Sequence, residues 1–277
     1  MVIKFSGEYF SVKDTLECGQ TFRFTPLENG KFIVYTLDKC ALCYNDGDYA
    51  YIECEDGDAD YFFNYFDLGR DYSKISSVAL KENIPVLTQA VNLGKGIRIL
   101  NQDKEEMLFS FIISQNNNIP RIKKIINALC DKLGEDMTFN GRSYKAFPTA
   151  KRLAEFGADF YAGLGLGYRA SYIADTAKLL LGNLDLTALD NLSTVELKKQ
   201  LLSIRGVGPK VADCIALFGF HRADSFPVDT WIEKLYREDF AGTETDRNKI
   251  TKFFTDKFGE NSGYVQQYLF HYKRNLQ

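Results

Sequence analysis

The chain has 277 residues, 45% hydrophobic and 26% charged, the balance of a globular protein large enough to bury a substantial core. No run of 18 apolar residues occurs, and the opening MVIKFSGEYFSVKD has neither a basic stretch ahead of an apolar one nor Arg/Ser-rich transit character; this excludes a membrane helix and points to a cytoplasmic protein. The net charge of −3 conceals a division: residues 1–60 carry 5 Lys/Arg against 12 Asp/Glu, whereas residues 118–152 carry 8 against 3, so a polyanion within a Debye length of about 10 Å would meet locally basic surface.

Up to about residue 56 the pattern is short and alternating. FIVYTLD, CALCYND and YAYIECED are punctuated by ENGK and NDGD, which predicts an antiparallel sheet of several strands. The six cysteines are scattered, and only Cys40 and Cys43 form a C-x-x-C pair; with no further ligands close in sequence, reduced thiols in an apolar strand are expected rather than zinc. From DADYFFNYFDL onward the apolar period becomes 3 and 4, and nearly everything to the end reads as helix. The expectation is an α+β fold: a twisted antiparallel β domain with a helix over residues 1–85, then an all-helical body. That body divides into one subdomain of residues 86–156 plus 246–277 and a second of residues 157–245.

The chemistry concentrates at LSIRGVGPKVADCIALF, residues 202–218. Ser193 and Glu196 have capping-box spacing, so a helix runs from about Thr194 to Ile204 and stops at Gly206. Gly206-Val207-Gly208 allows a tight turn, and Pro209 suits the first turn of the next helix. Two helices joined in this way form a helix-hairpin-helix, whose amides and helix N-terminus offer a phosphate site. Lys210 opens the second helix, either as an extra cation for that phosphate or as a nucleophile. Nineteen residues on, Asp229 in FPVDTWIEKLYRE precedes a helix that Thr230 and Glu233 are placed to cap. A carboxylate at a helix start stays ionised, which suits a reaction that builds positive charge.

The glycine hairpin with Lys210, followed by PVD at Asp229, resembles the helix-hairpin-helix (HhH-GPD) DNA glycosylase superfamily, and the lysine resembles that of its bifunctional glycosylase/lyase members. Five blocks over nearly the whole length, CGQTFRF (18–24), LFSFIISQNNNIPRI (108–122), LGLGYRASYI (164–173), GVGPKVADC (206–214) and YVQQYLF (264–270), are similar to those of 8-oxoguanine DNA glycosylases. The resemblance implies that Lys210 attacks the sugar C1′ and forms a Schiff base, its pKa lowered by burial near positive neighbours. Asp229 would stabilise the cationic sugar or help deprotonate Lys210, and β-elimination would nick the strand. A base to be excised must leave the helix and enter a pocket. Cys214 and Phe270 would form its two faces, Gln266 would read the Watson–Crick edge, and the Gly19 carbonyl would accept the N7–H that oxidation adds to guanine. Asn116 would fill the vacated space. Arg121, Arg169 and the wedge Tyr168 would hold the estranged base, with a preference for cytosine. Gly206, Val207 and Gly208 would hold phosphate, with no cofactor beyond a monovalent or divalent cation at the hairpin.

The implied partner is double-stranded DNA containing 8-oxoguanine, met by a monomer associated with the nucleoid. One departure is Trp231, which stands where eukaryotic relatives have histidine; that, with short loops, resembles a prokaryotic member. Two other readings stay open. A non-catalytic DNA-binding module would use Lys210 only as a cation, and a monofunctional alkylpurine glycosylase would usually lack that lysine and the GQTFRF and YVQQYLF blocks.

Overall fold

The computed structural model describes residues 1–182 and 184–276. Turn residues divide the first 54 positions into five strands: β1 (Val2–Ser6), β2 (Phe24–Pro26), β3 (Phe32–Thr36), β4 (Lys39–Asp46) and β5 (Tyr49–Cys54), with helix α1 (Val12–Glu17) between the first two. They form one antiparallel sheet in the order β1-β5-β4-β3-β2. Its register follows the alternation of side chains: Ala50, Ile52 and Cys54 of β5 face inward while Tyr49, Tyr51 and Glu53 do not. Cys40 and Cys43, three apart on β4, therefore fall on opposite faces. Cys43 packs with Phe32 and Ile52, Cys40 with Ile33 and Phe139. All six cysteines are free and buried, and burial pushes Cys40 up to about 12.

Helices follow: α2 (Ala59–Tyr65), α3 (Tyr72–Lys81), α4 (Pro85–Gly94), α5 (Lys104–Ser114) and α6 (Ile119–Leu133). The pattern of α6 shows why. Asn118 caps it by accepting from the Arg121 amide, Pro120 stands in the first turn, and Ile122, Ile125, Ile126, Leu129 and Leu133 line one buried face. Each of those side chains contributes about 1.5–3 kcal/mol by leaving water.

The body is mostly helical, as expected, but one hairpin interrupts it. Strands β6 (Asp136–Phe139) and β7 (Arg142–Lys145) form a hairpin closed by Asn140 and Gly141, both at positive φ (48° and 72°). This is the Asn-Gly turn that two-residue hairpins favour. It covers the outer face of the first sheet: Phe139 packs on Ile33 and Cys40, and the Tyr144 hydroxyl donates to the Asp38 carbonyl at 2.6 Å. The buried Arg23–Glu106 pair, 3.3 Å apart, ties the same edge of the sheet to α5.

The rest is helical: α7 (Ala150–Ala154), α8 (Ala158–Gly163), α9 (Arg169–Gly182), α10 (Thr194–Leu202), α11 (Pro209–Phe218), α12 (Thr230–Asp239), α13 (Arg247–Phe258) and α14 (Ser262–Asn275). The capping box of Ser193 and Glu196 forms as expected, although its helix ends two residues sooner, at Leu202. The last helix turns back onto α4 and α12. Gly263 starts it against α11: its amide donates to the Ala223 carbonyl, and a Cβ there would stand 2.3 Å from Leu217. That close approach brings Gln266 and Phe270 to the hairpin helix. Among the described residues no helix is long and apolar enough to cross a membrane.

Candidate active site and DNA-facing corner

The hairpin depends on Gly206. Its φ of +89° lies in the left-handed region, and a Cβ would come within 2.4 Å of the Tyr172 ring. Gly208 has ordinary φ and open space above it, where a phosphate could approach. Val207 is buried and its amide donates to the Ile204 carbonyl, so it pins the turn from inside; the outward donors are those of Gly208 and the first turn of α11.

Lys210, Cys214, Asp229, Gln266, Phe270 and Gly19 line one narrow slot of about 50 Å³, although they come from four separate segments of the chain. Cys214 lies one turn after Lys210 on α11. Asp229 is itself the N-cap of α12, where Oδ1 accepts from the amides of Trp231 and Ile232, both at 3.0 Å. The expected Thr230–Glu233 capping box therefore does not form, because the aspartate takes the cap and Thr230 becomes the first helical residue. Capping also fixes the direction of the carboxylate.

Burial pushes the Lys210 ammonium toward the free amine, but Cys214 and Asp229 beside it favour the charged form and prevail, so its pKa is raised. Arg247 is the positive neighbour acting the other way. The expectation of a lowered pKa is corrected on this point. Burial also pushes the Cys214 thiol up, to about 11, which leaves lysine charged and cysteine neutral at pH 7.

Gln266 is buried, its amide donating to the Pro227 carbonyl at 3.2 Å. Gly19 has φ +92°, and a Cβ would stand 3.3 Å from the Phe270 ring. Gln20 anchors the turn behind it, donating to the carbonyls of Thr15 and Arg98 and accepting from the Leu100 amide. Four lining residues escape the sequence reading: Phe111, Phe218, Pro227 and Gln267. The Lys210 nitrogen lies 5.8 Å from the Phe111 centroid, and Phe111 stacks on Phe218 at 5.5 Å. Position within the LFSFIISQ and FPVD blocks was the available signal for Phe111 and Pro227.

The second group stands apart from the slot. Asn116 is exposed at φ +43°, in the left-handed region that asparagine tolerates. Arg121 and Tyr168 are also exposed. Arg169 is not: it is 3% exposed, and its guanidinium donates to the carbonyls of Gln115, Asn116 and Leu166 and lies 4.4 Å from the Tyr168 ring centroid. It braces the Asn116 turn from behind. Among the described residues no group of three His, Cys, Asp or Glu side chains is placed to hold a metal.

A strand-sheet lobe ahead of a helical body, with a lysine and a capping aspartate at a glycine hairpin, defines the helix-hairpin-helix class. Residues 2–108 match the 8-oxoguanine DNA glycosylase N-terminal domain and residues 109–260 match the HhH-GPD superfamily of base excision DNA repair proteins, and the chain belongs to that superfamily.

Its relatives agree. The solved structure of Clostridium acetobutylicum 8-oxoguanine glycosylase/lyase, in complex with double-stranded DNA containing cytosine opposite 8-oxoguanine, is 38% identical and superposes with a TM-score of 0.92 over 100% of this chain and 98% of that one. A probable N-glycosylase/DNA lyase of Methanothermobacter thermautotrophicus is 31% identical over 208 residues, 68% of this chain and 67% of the relative. The N-glycosylase/DNA lyase of Saccharomyces cerevisiae is 38% identical over 159 residues, 53% of this chain, and the match spans only 42% of the yeast protein. A 3-methyladenine DNA glycosylase from Archaeoglobus fulgidus, 16% identical with a TM-score of 0.81, shares the fold.

Proposed function

We infer that the protein is a bifunctional DNA glycosylase and abasic-site lyase that removes 8-oxoguanine from duplex DNA. The observation that carries the reading is the gathering of Lys210, Asp229, Cys214, Phe270, Gln266 and Gly19 around one slot. The Lys210 nitrogen, once it has lost a proton, attacks C1′ of the flipped nucleotide. The glycosidic bond breaks, the base leaves with the bonding pair and takes a proton, and the sugar ring opens to a protonated imine. Loss of a C2′ proton then expels the 3′ phosphate and nicks the strand. Asp229, held by two amides, faces the positive charge that develops on the sugar and is the nearby carboxylate for the lysine proton.

Phe270 and Cys214 are assigned as the faces of the base, Gln266 as reader of its edge and the Gly19 carbonyl as acceptor of N7–H. Unmodified guanine has an acceptor at N7, so two acceptors would oppose one another. The slot of about 50 Å³ has room for only a few water molecules, so Phe270, half-buried on its wall, must move for a purine to enter. Asn116 is assigned to the vacated space, and Arg121 with Tyr168 to the partner base; a preference for cytosine suits the planar fork of Arg121. The donors of Arg169 are mostly taken by backbone carbonyls, so its part is to hold Asn116 in place. The hairpin grips phosphate through Gly208 and the first amides of α11, and a cation at its carbonyls would extend that grip.

The test uses duplexes with 8-oxoguanine opposite cytosine, wild type and Lys210→Gln, and borohydride to trap an imine. A covalent adduct and a nicked strand from wild type alone are expected. Binding without adduct or released base in the wild type would reduce Lys210 to a phosphate clamp.

A further inference from the structure

Two walls of the slot come from distant parts of the chain, Gly19 and Phe270, and one side chain lies beside both. Arg274 lies in the last turn of α14, four residues beyond Phe270 and so on the same helix face. Its guanidinium donates to the carbonyl of Glu17, two residues before Gly19, and its central carbon is 5.5 Å from the Phe270 ring centroid. A Cβ on Gly19 would stand 3.2 Å from its Nη1. Behind the slot, Arg274 and Gly19 also share the wall of a groove of about 340 Å³, so the guanidinium has open space on its far side and is positioned by these contacts.

We propose that Arg274 is a positioning residue for lesion discrimination: by clamping Phe270 to the Gly19 turn, it sets the separation of the two walls between which oxidised purine is told from guanine. The proposal rests on the excision of 8-oxoguanine proposed above. Its physical basis is tolerance. An N–H···O bond has a working range of about 2.7–3.2 Å, so a carbonyl displaced by about 1 Å no longer separates a purine with N7–H from one without. Gly19, at positive φ and with no side chain, has little of its own to resist such drift, and the anchoring by Gln20 acts only on its other side. Arginine suits the task because one rigid plane reaches a carbonyl and presses on a ring at once.

The experiment compares wild type, Arg274→Ala and Arg274→Lys in two single-turnover assays: excision from an 8-oxoguanine:cytosine duplex, and cleavage of a duplex with a preformed abasic site. The abasic site needs Lys210 but places no base between Gly19 and Phe270. Each variant is also put into a Lys210→Gln background to measure the ratio of affinities for 8-oxoguanine:cytosine and guanine:cytosine duplexes. Arg274→Ala is expected to slow excision about 10- to 100-fold and to compress the affinity ratio while abasic cleavage keeps its wild-type rate. Arg274→Lys, which can reach the Glu17 carbonyl but has no plane to set against Phe270, should recover part of the loss. Wild-type excision and ratio in Arg274→Ala would overturn the proposal, and so would a parallel fall of excision and abasic cleavage, the mark of a general folding role. A wild type that cleaves abasic DNA but releases no 8-oxoguanine would instead remove the functional reading beneath it.

Discussion

Around Lys210 the side chains are enclosed and cross-tied, with Asp229 held by two amides, Gln266 by a carbonyl and the Gly19 turn by Gln20; around Asn116 the working side chains stand in solvent and only the backbone beneath them is braced. The difference suits the part proposed for each region. Bond breaking is accelerated by groups that are already oriented and need not reorganise, which favours burial and capping. A gap in a base stack and an orphaned partner base are reached only as the duplex deforms, which favours exposed side chains on a fixed turn. Arg169 marks the boundary, because its buried charge serves the exposed neighbour.

The comparison is broken most severely at its chemical end. Lys210→Gln should lower excision and nicking by about 10³-fold or more and abolish the borohydride adduct while duplex binding persists. Next comes Gly19→Ala, where a methyl group at φ +92° meets Phe270 and Arg274; single-turnover excision should fall about 100-fold with abasic cleavage retained, and equal loss of both would show that the slot is not a base site. Arg169→Ala strips its guanidinium donors from the carbonyls of Gln115 and Asn116, so denaturant titration should show about 1–3 kcal/mol of lost stability, together with weaker duplex binding.

A subtler separation uses pH. Lys210 has a raised pKa in which Cys214 opposes the effect of burial, and the free amine is the proposed attacking form, so excision should climb with rising pH. Cys214→Ala removes that contribution, lowers the lysine pKa and should move the rising limb of the rate profile to lower pH. An unmoved limb would mean that another proton controls the rate. The mildest change is Arg121→Ala at the exposed corner: stability should stay within about 0.5 kcal/mol, while excision opposite cytosine and opposite the other bases becomes more nearly equal.

Much of this was legible in the sequence. Alternation and turn residues give the first sheet, the change of period gives the helical body, and Gly206 through Lys210 gives the hairpin, because each of these signals is local. The β6–β7 hairpin carried a local signal too, Asn140-Gly141, but four-residue strands are too short to interrupt a helical reading of what surrounds them. The pocket residues were named through family resemblance, since neither periodicity nor spacing places Gly19 beside Phe270. What stayed out of reach was the use of each polar group. Nothing in GYRASY says that Arg169 turns inward, and nothing in GVGPK says that Cys214 and Asp229 outweigh burial at Lys210. These outcomes depend on three-dimensional neighbours, as does the choice of Asp229 over Thr230 as the cap.

The bond between Arg274 and Glu17 joins residues 257 positions apart, which gives the protein a timetable as well as a shape. At about 5–20 residues per second, a ribosome finishes the last wall of the pocket on the order of 10–50 s after the first. The hairpin lysine, 64 residues before Arg274, is made only about 3–13 s ahead of that last wall, and in that shorter interval the hairpin exists while the slot that selects damaged bases does not. A nascent chain can therefore hold a DNA-gripping motif before it has any means of choosing a base, and the synthesis of Phe270 and Arg274 is the event that makes it selective.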